Sequence, residues 1–290
     1  MPELPEVETV RIGLTKLLPG KKIAGVKHDW PKSFPNAEAD VAAFLIGAKV
    51  LGIRRRAKVL IIDLDSQHSL VIHLKMTGQL VYRSNDDKQR FGAGHPSDSL
   101  VGKLPDKSTR VTFDLVDAKL FFNDQRKFGW IRLLPTVEVE NIDFFQKVGP
   151  EPLGADFTDA QFAERFKRRA NTSIKAALLD QTVIAGVGNI YADESLWAAR
   201  IHPATLVRKI SQLKLRKLFA ELQAVLALAI AKGGSSDRNY VNAEGKKGSY
   251  LSFAKVFRRN GQPCPRCGTE IIKIRVAGRG THICPSCQKV

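Results

Sequence analysis

Hydrophobic positions change period along the chain. Between residues 7 and 18 the apolar side chains Val7, Val10, Ile12, Leu14, Leu17 and Leu18 fall at helical spacing, and Pro19-Gly20 closes the run, which predicts one helix. From residue 22 to about 134 the runs shorten. Stretches rich in Val, Ile, Leu and Phe predict strands at 23–26, 49–54, 59–63, 70–74, 79–83, 111–115, 119–123 and 130–134. Many short strands separated by turn residues predict a β-sandwich or barrel. Residues 37–46 read as a helix between strands. Residues 84–107 combine Gly, Pro, Ser and Asp without a period and read as a long irregular loop.

Gly149-Pro150-Glu151-Pro152 marks a boundary, and beyond it the period is helical. Helices are predicted over 158–167, 173–179, 192–199 and 210–231, the last closed by Gly233-Gly234. Residues 235–248 are polar and contain glycine, so they read as a loop. The whole predicts an α+β chain: a β domain over 1–134, a linker over 135–152, a helical domain over 153–252 and a small unit over 253–290.

Composition narrows the class. The 290 residues exceed a typical single domain, and the 43% hydrophobic share, with 15 Phe, suffices for ordinary cores. The chain has 46 Lys and Arg against 29 Asp and Glu, a formal charge of +17, which makes a polyanion such as nucleic acid the leading partner. The longest apolar run, 222–231, falls well short of the ~20 residues a membrane span needs. The acidic start lacks the apolar core of a secretory signal. A cytoplasmic, reducing setting and no membrane partner are therefore expected. Nothing predicts an obligate oligomer, so a monomer is expected.

All four cysteines lie after residue 260, as Cys264-Pro-Arg-Cys267 and Cys284-Pro-Ser-Cys287. Two such knuckles at this separation can place four thiolates around one Zn²⁺. The closed Cys₄ set predicts one structural zinc, with a redox dithiol pair as the rival reading. Residues 270–276 and 281–283 alternate like two strands joined by Ala277-Gly278-Arg279-Gly280, a zinc-ribbon hairpin. Arg279 at its tip reads either as a bidentate phosphate ligand or as a solvated turn residue.

The chain opens Met1-Pro2-Glu3-Leu4-Pro5-Glu6. Removal of Met1 would leave Pro2 with a terminal secondary amine. Terminal amines titrate at about 7.7–8.0, against about 10.4 for lysine, so such a group is partly nucleophilic at neutral pH. Glu3 beside it could relay protons, and Glu6 follows. Alone, these glutamates equally read as helix N-terminal acids. Lys58 ends the basic run Arg54-Arg55-Arg56-Ala57-Lys58 at a strand entrance. Gly186-Val187-Gly188-Asn189 offers either a phosphate-binding turn or a helix cap at Asn189. Met76 and Phe128 sit at turns, as core side chains or as wedges that fill the gap left by an extruded base.

Taken together, the stretches PELPEVETV, RRAKVL, HLKMTGQL, NDQRKFGW, GPEPL, LLDQTVIAGVGNIYADESLWAARIHP and PCPRCG…AGRGTHICPSCQ resemble bacterial formamidopyrimidine-DNA glycosylases across essentially the whole chain. The resemblance implies an N-terminal β-sandwich with flanking helices, a helix–two-turns–helix module and a zinc finger, with damaged double-stranded DNA lying between the lobes. It implies Pro2 as the nucleophile at C1′, Glu3 as the proton relay, Glu6 in support, Lys58 in β-elimination and Arg279 in δ-elimination. His73, Asn189, Lys167, Arg110 and Arg238 would contact DNA. Met76, Arg126 and Phe128 would fill the void, and the loop 235–248 would close over the base. Oxidised purines would be the substrates, in a nucleoid-associated setting.

Some positions depart from the family pattern. Phe257 stands where tyrosine is common, Arg258 where glycine is common and Arg110 where histidine is frequent, and 84–107 is longer than usual. An endonuclease VIII-like enzyme for oxidised pyrimidines is the first alternative, although that branch typically opens PEGPE and this chain has Leu4. A non-catalytic DNA-binding zinc protein is the second. A ribbon protein for RNA would need aromatic stacking platforms, and no such cluster is seen.

Overall fold

Helix α1 (Leu4–Thr15) begins a turn earlier than the apolar spacing predicts. Glu3 stands at the N-cap in extended backbone, and the side chain of Glu6 accepts the Glu3 N–H at 2.8 Å, forming a capping box. Pro5 sits in the first turn, where a missing N–H costs nothing. The computed structural model describes residues 2–235 and 250–289. Its described residues divide into two units, one of 2–146 with 232–235 and one of 147–231 with 250–289.

The first unit is built on two antiparallel sheets. Strands β1 (Ile23–His28), β5 (Gly78–Ser84), β6 (Arg90–Gly94), β7 (Thr109–Leu115) and β8 (Ala118–Asp124) form one sheet, in the order β1-β7-β8-β5-β6. Strands β2 (Val50–Arg56), β3 (Val59–Leu64), β4 (His68–His73) and β9 (Trp130–Pro135) form the other, in chain order. Alternation along the strands sends Leu60, Ile62, Leu70 and Ile72 from one sheet, and Leu80, Tyr82, Phe113 and Phe122 from the other, into one core. Val7, Val10 and Leu14 of α1 join that same core. Each such side chain contributes roughly 1.5–3 kcal/mol on burial.

Two expectations in this unit need correction. Residues 84–107 are not irregular throughout: they contain β6 and a short 3₁₀ turn (Asp98–Leu100). Strand β6 reads Arg-Phe-Gly-Ala-Gly, so its glycines hid it. Gly94 is required there, because its φ is +126° and a Cβ would lie 2.4 Å from the Gly78 carbonyl oxygen. The helix expected at 37–46 is a single turn, α2 (Glu38–Asp40), that widens into a π turn (Val41–Leu45). A further short helix, α3 (Asp143–Lys147), follows the second sheet.

The second unit is helical with a small hairpin. Helix α4 (Asp159–Lys167) carries a reciprocal cap, with Gln161 N–H donating to Thr158 Oγ1 at 3.3 Å and Thr158 N–H to Gln161 Oε1 at 2.9 Å. Ser173 caps α5 (Ile174–Leu179). Helices α6 (Asn189–Ala198) and α7 (Gln212–Ala231) follow, and Phe162, Phe166, Leu178, Tyr191, Leu196 and Leu222 form their shared core. After the short α8 (Tyr250–Phe253), strands β10 (Ile272–Val276) and β11 (Arg279–Ile283) pair antiparallel. Their turn is two residues rather than four: Ala277 (φ 50°) and Gly278 (φ 72°) are both left-handed, as a type I′ turn requires. Arg279 is therefore the first residue of β11, opposite Val276. No described helix is long and apolar enough to cross a membrane.

Candidate active site and metal centre

The head of α1 gathers the first candidates. Pro2, Glu3 and Glu6 are all buried, Glu3 to 3% exposure. Glu6 accepts through both oxygens, the Glu3 N–H on Oε2 and the Ser235 N–H on Oε1 at 2.7 Å. It thus ties the start of the chain to the segment after α7. Gly234 lies so close that a Cβ would meet Glu6 Oε1 at 3.0 Å, on a backbone whose φ is +82°.

Lys58 stands at the apex of the β2–β3 hairpin. Arg56 pairs with Val59, leaving Ala57-Lys58 as the turn. Ala57 takes φ 54°, a conformation that disfavours any residue with a Cβ, and Lys58 is only 5% exposed. Arg55 braces this turn: its Nη1 donates to the Ala57 carbonyl at 2.8 Å and its Nε to Glu8 Oε2 on α1 at 2.9 Å. Burial acts to raise the Glu8 pKa, but hydrogen bonds from Arg11 and Arg55 outweigh it and hold the carboxyl below its ordinary range. The charged brace links α1, whose head lies beside Pro2, to the turn that carries Lys58.

His73, at the end of β4, is 6% exposed. Burial, helped by the charges of Lys75 and Lys58, pushes its pKa down to about 3. Its Nδ1 accepts the Lys75 N–H at 3.0 Å, which leaves Nε2 as the protonated nitrogen and a donor. Beyond it, the turns holding Met76, Arg126 and Phe128 are organised by Asp124, which is fully buried. Its Oδ2 accepts the N–H groups of Phe128 (2.8 Å) and Gly129 (2.7 Å), and its Oδ1 accepts the Thr77 hydroxyl and the Arg126 N–H (3.2 Å). Phe128 remains 53% exposed, with the Arg126 guanidinium 4.9 Å from its ring centre. Phe128, exposed on a braced turn, is therefore not a core side chain.

In the second unit, Arg279 is exposed at the start of β11. The strand behind it is anchored on a buried pair. Lys175 Nζ lies 2.6 Å from Asp193 Oδ1 and 2.6 Å from Thr281 Oγ1, and Asp193 Oδ2 accepts the His282 N–H at 2.9 Å. Asn189, the first residue of α6, donates from Nδ2 to the Gly280 carbonyl at 3.0 Å. Glu194 on α6 accepts the N–H groups of Lys255, Val256 and Phe257. Burial raises its pKa against the pull of these three donors. Arg258 has φ 59°, a left-handed backbone that explains glycine's advantage at this position. Its guanidinium lies 5.8 Å from the Phe257 ring centre.

The four cysteine sulfurs lie within 4.8 Å of one another. Cys267 Sγ is 3.4 Å from Cys284 Sγ and 3.5 Å from Cys287 Sγ. A disulfide would need about 2.05 Å. A tetrahedral zinc with Zn–S bonds of about 2.3 Å sets its sulfurs about 3.8 Å apart, which this cluster matches. Trp197 Nε1–H donates to Cys264 Sγ and the Cys287 N–H to Cys284 Sγ, both at 3.4 Å, the kind of outer hydrogen bond that orients thiolate ligands. Cys264, Cys267, Cys284 and Cys287 therefore fit one structural Zn²⁺ with no open position. Convergence of both knuckles on one point disfavours the redox reading.

Other candidates fall differently. Arg110 is 4% exposed, and its guanidinium is engaged by Asp29 and by the carbonyls of Lys107, Ser108 and Asp124. Its donors are turned inward, so in this structure it braces the scaffold. Lys167 is exposed at the end of α4, 3.6 Å from Glu164. Arg238 and the loop residues 236–248 lie outside the described residues. Sequence reasoning missed Asp124, the Arg55–Glu8 brace and the Lys175–Asp193 pair. Asp124 had a readable signal, since an Asp opening a turn commonly accepts backbone N–H groups ahead of it.

Comparison with known proteins settles the class. Residues 1–131 match the family described as formamidopyrimidine-DNA glycosylase N-terminal domain, 148–240 its H2TH domain, and 261–290 the zinc finger found in FPG and IleRS. The chain belongs to the formamidopyrimidine-DNA glycosylase family. The formamidopyrimidine-DNA glycosylase of Chloroflexus aurantiacus is 42% identical over 99% of this chain and 98% of its own. That of Pelotomaculum thermopropionicum is 40% identical over the full length of both. Among solved structures, a Lactococcus lactis FPG mutant with Fapy-dG-containing DNA superposes with a TM-score of 0.88 at 36% identity, covering both chains fully. MutM in complex with carbocyclic 8-oxo-G DNA gives 0.86 at 36% identity, also over both full chains.

Proposed function

We propose that the chain is a bifunctional DNA glycosylase and AP lyase that excises 8-oxoguanine and formamidopyrimidines from double-stranded DNA and then cuts the abasic strand. The observation that carries the reading is the full-length match to this enzyme family, whose solved members hold Fapy-dG and 8-oxo-G DNA. Pro2, freed of Met1, attacks C1′ of a flipped nucleotide and the C1′–N bond breaks; Glu3 then delivers a proton to O4′, so that the C1′–O4′ bond opens and the amine is left joined to C1′ as an iminium. The resulting iminium acidifies the C2′ proton. Lys58 assists its removal, the 3′ C–O bond breaks, and a second elimination, assisted by Arg279, releases the 5′ phosphate. Glu6 supports the geometry of the chain start. His73, Asn189 and Lys167 contact the backbone, while Met76, Arg126 and Phe128 fill the void. Arg238 belongs to the same proposal through the resemblance alone.

The two sheets on one core support a β-sandwich for the first unit, and helices α5 and α6 with the turns before each support a helix–two-turns–helix module in the second. The domain limits proposed are 1–134, 153–252 and 253–290, with a linker at 135–152. Zinc would hold the terminal hairpin in shape and takes no part in bond breaking. A monomer working in the cytoplasm on nucleoid DNA is the setting proposed.

The test is borohydride trapping on a duplex carrying 8-oxoguanine opposite cytosine, with peptide mapping of the adduct. A covalent adduct on Pro2 is expected. Tight binding without an adduct overturns the catalytic reading, and an adduct formed only with oxidised pyrimidines moves the chain to the endonuclease VIII branch.

A further inference from the structure

Residues 84–107 build more than a connection. The segment folds back over the outer face of the five-stranded sheet, where Leu100 packs with Val81 and Phe121, and Leu104 lies against them. Gln79 Nε2 donates to Ser97 Oγ at 2.7 Å, and the hydroxyls of Ser99 and Ser108 lie 3.0 Å apart. The fold-back is therefore a packed layer with its own small apolar centre. At its open end it leaves a cavity of about 440 Å³.

The charges around that cavity are arranged in an unusual way. In the register of the sheet, Arg83 on β5 stands directly opposite Arg90 on β6 and, on its other side, directly opposite Lys119 on β8. Three cations thus form a row across three adjacent strands. Like charges directly opposite each other destabilise a sheet. The covering segment adds Lys103, and one acid, Asp87, lines the cavity. Asp87 pairs with Arg90, and Asp114 pairs with Lys119 from the neighbouring strand, while the middle of the row, Arg83, donates from Nη2 to the Gly102 carbonyl at 3.1 Å. Burial, then the charge of Arg90, lowers the Arg83 pKa, so its positive form is held at a cost. Selection of such a row, capped by a folded segment that brings one more lysine, makes sense when an anion completes it.

We propose that the cavity floored by Arg83, Arg90 and Lys119 and faced by Lys103 is a phosphate-binding site. Its position on the outer face of the sheet, opposite the core-lining side, separates it from the head of α1 and from the Lys58 turn. The ligand chemistry is a tetrahedral phosphate oxyanion, supplied either by a DNA backbone phosphodiester or by a free phosphate-bearing molecule. The cavity exceeds a single phosphate in volume, so a phosphate with an attached sugar fits as well.

The test uses the full chain and inorganic phosphate as the probe. In wild type, phosphate raises the melting temperature above that in chloride at equal ionic strength, by ligand linkage. In Arg83→Gln/Lys103→Gln, at least half of this increment is lost, while melting without phosphate is unchanged or raised because the cationic row is relieved. The salt dependence of binding to undamaged duplex then separates the two sources. A logarithmic slope reduced by about 0.9 places a DNA phosphate in the cavity. An unchanged slope with the phosphate increment lost assigns the site to a free phosphate compound. An unchanged phosphate increment together with an unchanged slope overturns the proposal. Should the double variant fold poorly, Lys103→Glu alone, at an exposed position, is read by the same criteria.

Discussion

Lys175 and Asp193 form an ion pair with both side chains at 0% exposure, 2.6 Å apart, in the middle of the second unit. Its placement couples α5 and α6 to the metal hairpin, because Lys175 also donates to Thr281 Oγ1, which donates in turn to the Arg279 carbonyl at 3.0 Å. Removing one partner strands a buried charge. Lys175→Met is expected to lower unfolding free energy by about 3–5 kcal/mol. The double variant Lys175→Met/Asp193→Asn should recover part of that loss, since the amide carries no charge and can still accept the His282 N–H. Denaturant melts measure both. DNA affinity should follow the same order, because the strand that begins with Arg279 loses its anchor.

Arg55 offers a more selective case. It spans Glu8 and the Ala57 carbonyl, so it sets the angle at which the turn presents Lys58. A lysine there retains the charge but not the two-pronged geometry. Arg55→Lys is expected to slow elimination in single-turnover assays by roughly 10- to 100-fold, the scale of a misplaced catalytic group, with substrate affinity within about twofold of wild type. Loss of affinity in parallel with rate would mean that Arg55 merely stabilises the fold.

The sequence made some features readable and hid others for physical reasons. Strands written as short apolar runs between polar residues, such as Leu80-Val81-Tyr82 between Gln79 and Arg83, announced themselves, and so did the four cysteines, whose chemistry depends on spacing alone. Strand β6 was hidden because Gly92 and Gly94 carry no side chain to show a period. The bracing role of Arg110 was hidden because a cation in a basic chain does not reveal its partners; Asp29 and three carbonyls engage it. The braces at Arg55 and Lys175 depend on partners 47 and 106 positions away, Glu8 and Thr281, and no local pattern encodes them, whereas Asp124 accepts from the turn just ahead of it and only its bond from Thr77 is remote.

The buried imidazole of His73 makes stability depend on pH in a defined window. Its folded pKa of about 3 lies below the unfolded value of about 6.5, so between these the unfolded chain binds a proton that the folded chain does not. Stability from this group is complete above the unfolded pKa and declines as pH falls toward 3, by at most about 1.4 kcal/mol per pH unit. His73→Asn retains an acceptor for the Lys75 N–H and does not titrate. Its acid limb, followed by denaturant melts across that window, should be shallower than wild type. Equal slopes would mean that His73 becomes protonated without unfolding.

Asp124 links stability to base reading. It satisfies three backbone N–H groups and one hydroxyl with two oxygens, and those donors belong to the turns that carry Met76, Arg126 and Phe128. Asn replaces one oxygen by an amino group, which faces donors and leaves them unsatisfied. Hydrogen bonds to a charged acceptor contribute about 1.5–3 kcal/mol each, so Asp124→Asn is expected to cost at least that much stability. The more telling consequence is functional. With the turns loosened, Phe128 and Arg126 no longer occupy fixed positions, and excision should lose discrimination between cytosine and other bases opposite the lesion while trapping on Pro2 persists. Measuring excision rates for 8-oxoguanine opposite each base, in Asp124→Asn and in wild type, decides it: an unchanged ratio between opposite bases would leave Asp124 with a folding role only.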